Sequence, residues 1–249
     1  MSAAPEPAPE VVTPPPFAAR RTGAWARSWW GKAWVRALEE AAYDDGDLRV
    51  ARTIARSGRI GGLSLTAGRV VAAVGDDRGL WTVDLGVPVL DAASVEALVE
   101  VVVAQAGRLP MLLAGDLPHD LVEEAEEHGV ELLPYGGELA ATCTCDAWAD
   151  PCPHALAVGL QVTWLVDDDP LALVHLRGLG REDLVARTHR TRPVEAVPTG
   201  TGGRTGRPVR EHADDEEDEA LLDLAEEAAA RAAAWLAGLD GGGADDLVL

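Results

Sequence analysis

Cys143, Cys145, Cys152 and His154 fall in one short run, Cys143-Thr-Cys145-Asp-Ala-Trp-Ala-Asp-Pro-Cys152-Pro-His154, which holds all three cysteines of the 249-residue chain. Thiolate and imidazole are the donors zinc prefers. Four of them complete the closed tetrahedral set of a structural site, where a catalytic site keeps a position for water. Residues two apart on a strand leave the same face, so Cys143 and Cys145, following the extended-looking Glu138–Thr142, can converge on one ion. Asp146–Pro151 reverses the chain. Cys152, Pro153 and His154 then read as the N-cap and first two positions of a helix, because proline suits the first helical position and an apolar run follows. The helix N-terminus also favours a thiolate at Cys152. The bland reading, three free cysteines beside a helix, explains neither the spacing nor the closing histidine.

This C-x-C, six-residue gap, C-x-H pattern resembles the SWIM zinc-finger family, and Trp148 with the Asp-Pro-Cys-Pro-His run matches the family's phrasing. The resemblance implies a small ββα module with Cys143, Cys145, Cys152 and His154 as ligands of Zn2+. It extends upstream to the Ser-Trp-Trp-Gly-Lys-Ala-Trp stretch ending at Trp34, and downstream to Arg177-Gly-Leu-Gly-Arg181 with Glu182-Asp-Leu184. It therefore covers about Trp29 to Val185. It further implies DNA or protein binding, and the bacterial members point to an accessory of Swi/Snf-type helicases.

The residues argue against catalysis. No catalytic residue is assigned, since the zinc already has its four protein ligands. The deaminase pattern fails, for there is no His-x-Glu and Pro151-Cys152 is followed by Pro153-His154. A Gly-x-x-x-x-Gly-Lys phosphate loop is missing, so ATP hydrolysis is not expected. Asp146 and Asp150, near the ligands, read as turn formers. The alternative from another class is a zinc-dependent hydrolase with an open metal position, which would need an exchangeable water. A redox role has only the thiols in its favour.

The formal net charge is −21, which argues against indiscriminate nucleic-acid binding. Acid is concentrated between Asp76 and Asp150 and from Glu211 onward. Arg20–Arg69 and Arg177–Arg210 are net basic and could form a patch beside the metal module that touches DNA. No apolar run approaches the length of a membrane span, and three cysteines in one metal site leave none for disulfides. A cytoplasmic protein is expected, with no small-molecule substrate evident.

The elements that must position these ligands follow from periodicity. Trp29, Trp30, Trp34, Ala37 and Leu38 recur at helical spacing and are expected to anchor a helix on the core, although the indoles near Arg27, Lys32 and Arg36 could also stack on bases. Arg49, Arg52, Arg56 and Arg59 form a row suited equally to phosphate contacts and to a solvated face. Ile60–Leu65, Arg69–Val74 and Leu80–Leu85 predict a three-stranded antiparallel meander. Asp91 or Ser94 caps a helix to about Ala106, and another runs from Leu117 to His128. His119 and His128 read as ordinary surface or capping histidines. Val130–Leu133 and Leu139–Thr142 are expected as short strands leading into the finger. The finger helix, Pro153–Val166, is apolar nearly all round and so buried, which should make its ligands poorly accessible.

The expected fold is α+β: an N-terminal helix and three-stranded meander with helices, packed with a ββα finger. The expected organisation is a disordered leader (1–24), an N-terminal domain (25–135), the finger with following helices (136–190), a flexible linker (191–212) and an acidic C-terminal helix and tail (213–249).

Overall fold

The computed structural model describes residues 10–191. The expected C-terminal helix, the linker from residue 192 and residues 1–9 lie outside them. The fold is α+β, with eight α-helices and four strands among the described residues.

Helix α1 (Trp29–Ala41) starts where the Ser28 hydroxyl accepts the Gly31 N–H, and buries Trp30, Trp34, Ala37 and Leu38. Helix α2 (Asp45–Arg56) is capped by the Asp44 carboxylate, which accepts the Asp47 N–H at 2.8 Å, and turns Leu48, Ala51 and Ala55 inward. Of the arginine row, Arg49 is exposed, Arg52 and Arg56 flank the buried face and are half-buried, and Arg59 lies beyond the end of the helix. Strands β1 (Ser64–Thr66), β2 (Arg69–Gly75) and β3 (Leu80–Gly86) make the expected antiparallel meander. Alternation along them buries Leu65, Val70, Ala72, Val74, Val83 and Leu85 on one face. The first strand is shorter than Ile60–Leu65, because Ile60 makes only an isolated bridge to Val74.

The sheet has a fourth member. Strand β4 (Ala140–Cys143) pairs antiparallel with β3, from Gly86 opposite Ala140 to Val83 opposite Cys143, giving the order β1-β2-β3-β4. The strand entering the finger is thus an edge strand of the meander sheet, and the expected boundary at residue 135 is crossed by a ladder. Val130–Leu133 is not a strand. Val130 and Leu132 are buried there, and the Glu131 carbonyl is held by the buried Arg177 guanidinium, which also bonds the Pro88 carbonyl.

Between β3 and β4 run α3 (Ala92–Ala104), capped by Asp91, then α4 (Arg108–Leu113) and α5 (His119–Glu127). Helix α4 was not expected from the sequence. Its first residue, Arg108, is buried and bonds the Val101 carbonyl, Asp120 and Glu124.

Helix α6 (Pro153–Asp168) is the centre of the body, followed by α7 (Pro170–Leu176) and α8 (Arg181–Thr191). As its apolar sequence requires, α6 is enclosed: all residues from His154 to Trp164 are buried. Helix α1 packs on it through two indoles, Trp34 Nε1 donating to the Gly159 carbonyl (3.0 Å) and Trp30 Nε1 to the Val166 carbonyl (2.7 Å). Helix α2 is tied to it by Gln161 Nε2 donating to the Ala55 carbonyl at 2.9 Å. Gly159 permits the close approach of α1, since a Cβ there would meet Leu38 Cδ2 at 2.5 Å. Trp30 and Trp34 are therefore anchors, with their polar edges satisfied by carbonyls of α6.

Residues 10–24, expected within the disordered leader, instead lie along the body. Val12 bridges Leu65, Phe17 meets Trp164 edge-on with ring centroids 5.1 Å apart, and the Arg20 guanidinium lies over the same indole. Phe17 becomes half-buried there, and Val12, still exposed, is held by its two backbone hydrogen bonds with Leu65, contacts that the Pro-rich composition obscured.

Candidate metal centre

Cys143 ends β4, with Ala141 on the same inward-facing side of the strand. The alignment with β3 continues one residue further, Thr144 N donating to the Thr82 carbonyl (3.1 Å) and Thr82 N to Thr144 Oγ1 (2.9 Å). That continued pairing carries Cys145 back to the side of Cys143. The loop 146–151 then brings the chain to α6. Cys152 is its N-cap, with an extended backbone (φ −74°, ψ 167°), Pro153 is at the first helical position, and the Cys152 carbonyl accepts the Leu156 N–H at 3.0 Å.

The strand end and the helix start converge. One donor atom from each of Cys143, Cys145, Cys152 and His154 lies within 4.8 Å of all the others. Two sulfurs bound about 2.3 Å from one tetrahedral ion stand roughly 3.8 Å apart, so closing on zinc needs only small side-chain adjustments. Cys152 and His154 are buried, whereas Cys143 and Cys145 are half-exposed, so the expected inaccessibility holds for two of the four.

The His154 ring faces two ways. Nδ1 is 3.9 Å from Cys143 Sγ, while Nε2 is 3.1 Å from Asp76 Oδ2. A proton on Nε2, donated to Asp76, leaves the Nδ1 lone pair directed at the sulfurs, which is how an outer carboxylate orients a metal-bound histidine. Asp76 is itself fixed in the β2–β3 turn, accepting the N–H groups of Arg78 (2.8 Å) and Gly79 (2.9 Å). Desolvation pulls its pKa upward, but the Arg78 N–H, the Trp81 indole, His154 and the Gly79 N–H together hold the carboxyl well below the usual carboxylate range. The indole N–H makes no regular hydrogen bond, so it acts as a nearby dipole.

Burial, first of all, pushes the Cys143 thiol up to about 12, and burial together with the Cys145 thiol raises Cys152. Thiols this reluctant to ionise in a low dielectric are matched by a divalent cation, which supplies the missing positive charge and displaces the protons. The soft donor set, its convergence and the carboxylate behind the histidine all fit zinc.

Asp76 was missed in the sequence, where it is one residue of the Gly75-Asp-Asp-Arg-Gly79 turn. No local pattern marks it. The other candidates stay outside the donor set: His119 pairs with Glu123 at 3.2 Å, His128 Nδ1 lies 2.8 Å from the Glu124 carbonyl of its own helix, and Asp146 is 3.9 Å from Arg78. Much of the expected basic patch is also committed elsewhere. Arg52 pairs with Glu39, Arg59 with Asp77 and Arg69 with Asp84, and Arg56 lies over Trp25.

A strand end and a helix N-terminus that together present three cysteines and a histidine form a donor set of the zinc-finger type. Residues 127–160 match the SWIM zinc finger family, and all four donors lie within the matched segment. The chain is 30% identical over 178 residues to the uncharacterized protein Rv2102 of Mycobacterium tuberculosis, a match covering 71% of this chain and 64% of the relative. The aligned region thus spans less than two thirds of that protein's length. No solved structure matches. Among the described residues no helix is long and apolar enough to cross a membrane.

Proposed function

We propose that this protein is a non-enzymatic interaction module of the cytoplasm, in which zinc on Cys143, Cys145, Cys152 and His154 holds the finger to the α+β body, and that it serves as an accessory to a Swi/Snf-type helicase. The observation that carries the non-enzymatic reading is the complete donor set: four protein atoms within 4.8 Å of one another supply every ligand of a tetrahedral ion, leaving no position for the water that a zinc hydrolase activates. The acidic charge and the internal pairing of Arg52, Arg59 and Arg69 support a protein partner over DNA. Any DNA contact falls to the remaining arginines.

The test is retention of a Swi/Snf-type ATPase from the same organism by the tagged, zinc-loaded chain at low salt, with Cys152→Ser as control. The reading expects retention by the native protein and its loss in the variant. A native chain that holds zinc and retains no ATPase would remove the helicase role. Duplex-DNA affinity that is strong and falls steeply with salt would replace the protein partner by nucleic acid. A zinc ion with an exchangeable water would favour the hydrolase alternative.

A further inference from the structure

Trp148, in the loop between the ligands, is 78% exposed, and Tyr43, just before α2, is 63% exposed. Their rings meet edge-on with centroids 4.5 Å apart. Large amphipathic rings are seldom left so open without a partner to cover them. The pair stands beside a groove of about 730 Å³ that runs between α2 and the finger loop and reaches His154. Its helical wall carries Val50, 49% exposed, and Ile54. Four carboxylates line it, Asp44, Asp47, Asp76 and Asp77, against two guanidiniums, Arg59 and Arg78. Both guanidiniums are paired within the groove, Arg59 with Asp77 at 2.6 Å and Arg78 with Asp76 at 3.6 Å, which leaves Asp44 and Asp47 as the surplus carboxylates.

The geometry points to this groove as the docking site for an arginine-bearing extended segment of a partner protein, with a guanidinium laid on the face of Trp148 and the apolar parts of the segment against Val50 and Ile54. The proposal rests on the interaction-module reading and names the chemistry of its partner. Three features select that occupant. An exposed indole attracts a flat cation through its ring face, and guanidinium stacks there better than ammonium. The surplus of carboxylates attracts a basic segment and repels a phosphate backbone. Apolar side chains on the helix wall offer contact area that a purely ionic ligand would leave unused. The loop bearing Trp148 is bounded by Cys145 and Cys152, so zinc fixes one wall of the groove and couples the metal to recognition.

The experiment uses the zinc-loaded full chain and a fluorescein-labelled peptide of alternating arginine and alanine, followed by anisotropy at low and high salt. A peptide with glutamine in place of arginine and a labelled DNA duplex run alongside. Binding of the arginine peptide alone, weakened by salt, about tenfold weaker in Trp148→Ala and more weakly salt-dependent in Asp47→Asn, is the expected result. Zinc content and circular dichroism identify variants that keep the fold; Val50→Ser probes the opposite wall if Trp148→Ala does not. No binding, equal binding of the glutamine peptide, binding indifferent to both wall variants, or preference for the duplex would each overturn the proposal. Retention of the ATPase is scored separately: if it persists in Trp148→Ala the module stands and the groove falls. If the arginine peptide binds as expected while no ATPase is retained, the groove stands and the helicase role falls.

Discussion

Asp76 and His154 are 78 residues apart in the chain and meet at 3.1 Å, carboxylate oxygen to Nε2. The contact joins the β2–β3 turn to the first turn of α6 and sets which ring nitrogen is free for the metal. Asp76→Asn retains the shape but offers a neutral acceptor or, flipped, a donor. We expect its zinc affinity to fall about 10- to 100-fold, read by competition with a chromophoric chelator. Unchanged affinity would mean that packing alone orients the ring.

Removing the metal should loosen the body well beyond the finger. The donors sit between β4 and α6, and α6 is the buried centre of the described residues. Zinc supplies on the order of 10 kcal/mol to small finger peptides, and a whole domain has only about 5–15 kcal/mol of net stability. Chelation, or Cys152→Ser, is therefore expected to lower Tm by more than about 10 °C and to weaken the near-ultraviolet signal of Trp81, whose ring lies 5.8 Å from that of His154. Metal-free protein with native Tm would remove zinc from any structural role.

Gly159→Ala tests the packing of α1 on α6. The new methyl would stand 2.5 Å from Leu38 Cδ2, and Leu38 is only 1% exposed, with little room to retreat. A cost of about 1–3 kcal/mol is expected from urea unfolding. Leu38→Ala alone should cost about 2–5 kcal/mol. The double variant should cost less than the sum, because the methyl enters the space the leucine vacates.

Acid should weaken the join between the start of α1 and the end of α6. Asp167 accepts the backbone N–H groups of Arg27 (2.9 Å) and Ser28 (2.8 Å) and the Ser28 hydroxyl (2.6 Å). Desolvation raises its pKa, but the Ser28 hydroxyl and N–H, the Arg27 N–H and the Arg27 charge outweigh it, so the folded value is lowered. A lowered folded pKa gives stabilisation that is complete above the unfolded value, about 3.9, and is lost as pH falls through the folded value. Asp167→Asn should be less stable than the native protein at pH 7 by about 1.5–3 kcal/mol, and the gap should narrow below about pH 4. A gap constant with pH would show that the carboxylate charge contributes nothing.

What the chain determined by itself is everything carried by short-range pattern. Cysteine spacing, a proline at a helix start and an unbroken apolar run fix donors, geometry and burial within a few residues, so the four ligands and the enclosed α6 were legible. The α3 cap, narrowed by the sequence to Asp91 or Ser94, and the meander alternation belong to the same class. Tertiary structure alone decided what joins distant segments: β4 as the fourth strand on β3, Asp76 behind His154, Val12 and Phe17 drawn onto the body, and α4 around the buried Arg108. The reason is physical. Periodicity reports which face of an element is apolar, but it does not name the surface that will cover that face, and a lone aspartate or arginine in a turn has no period at all.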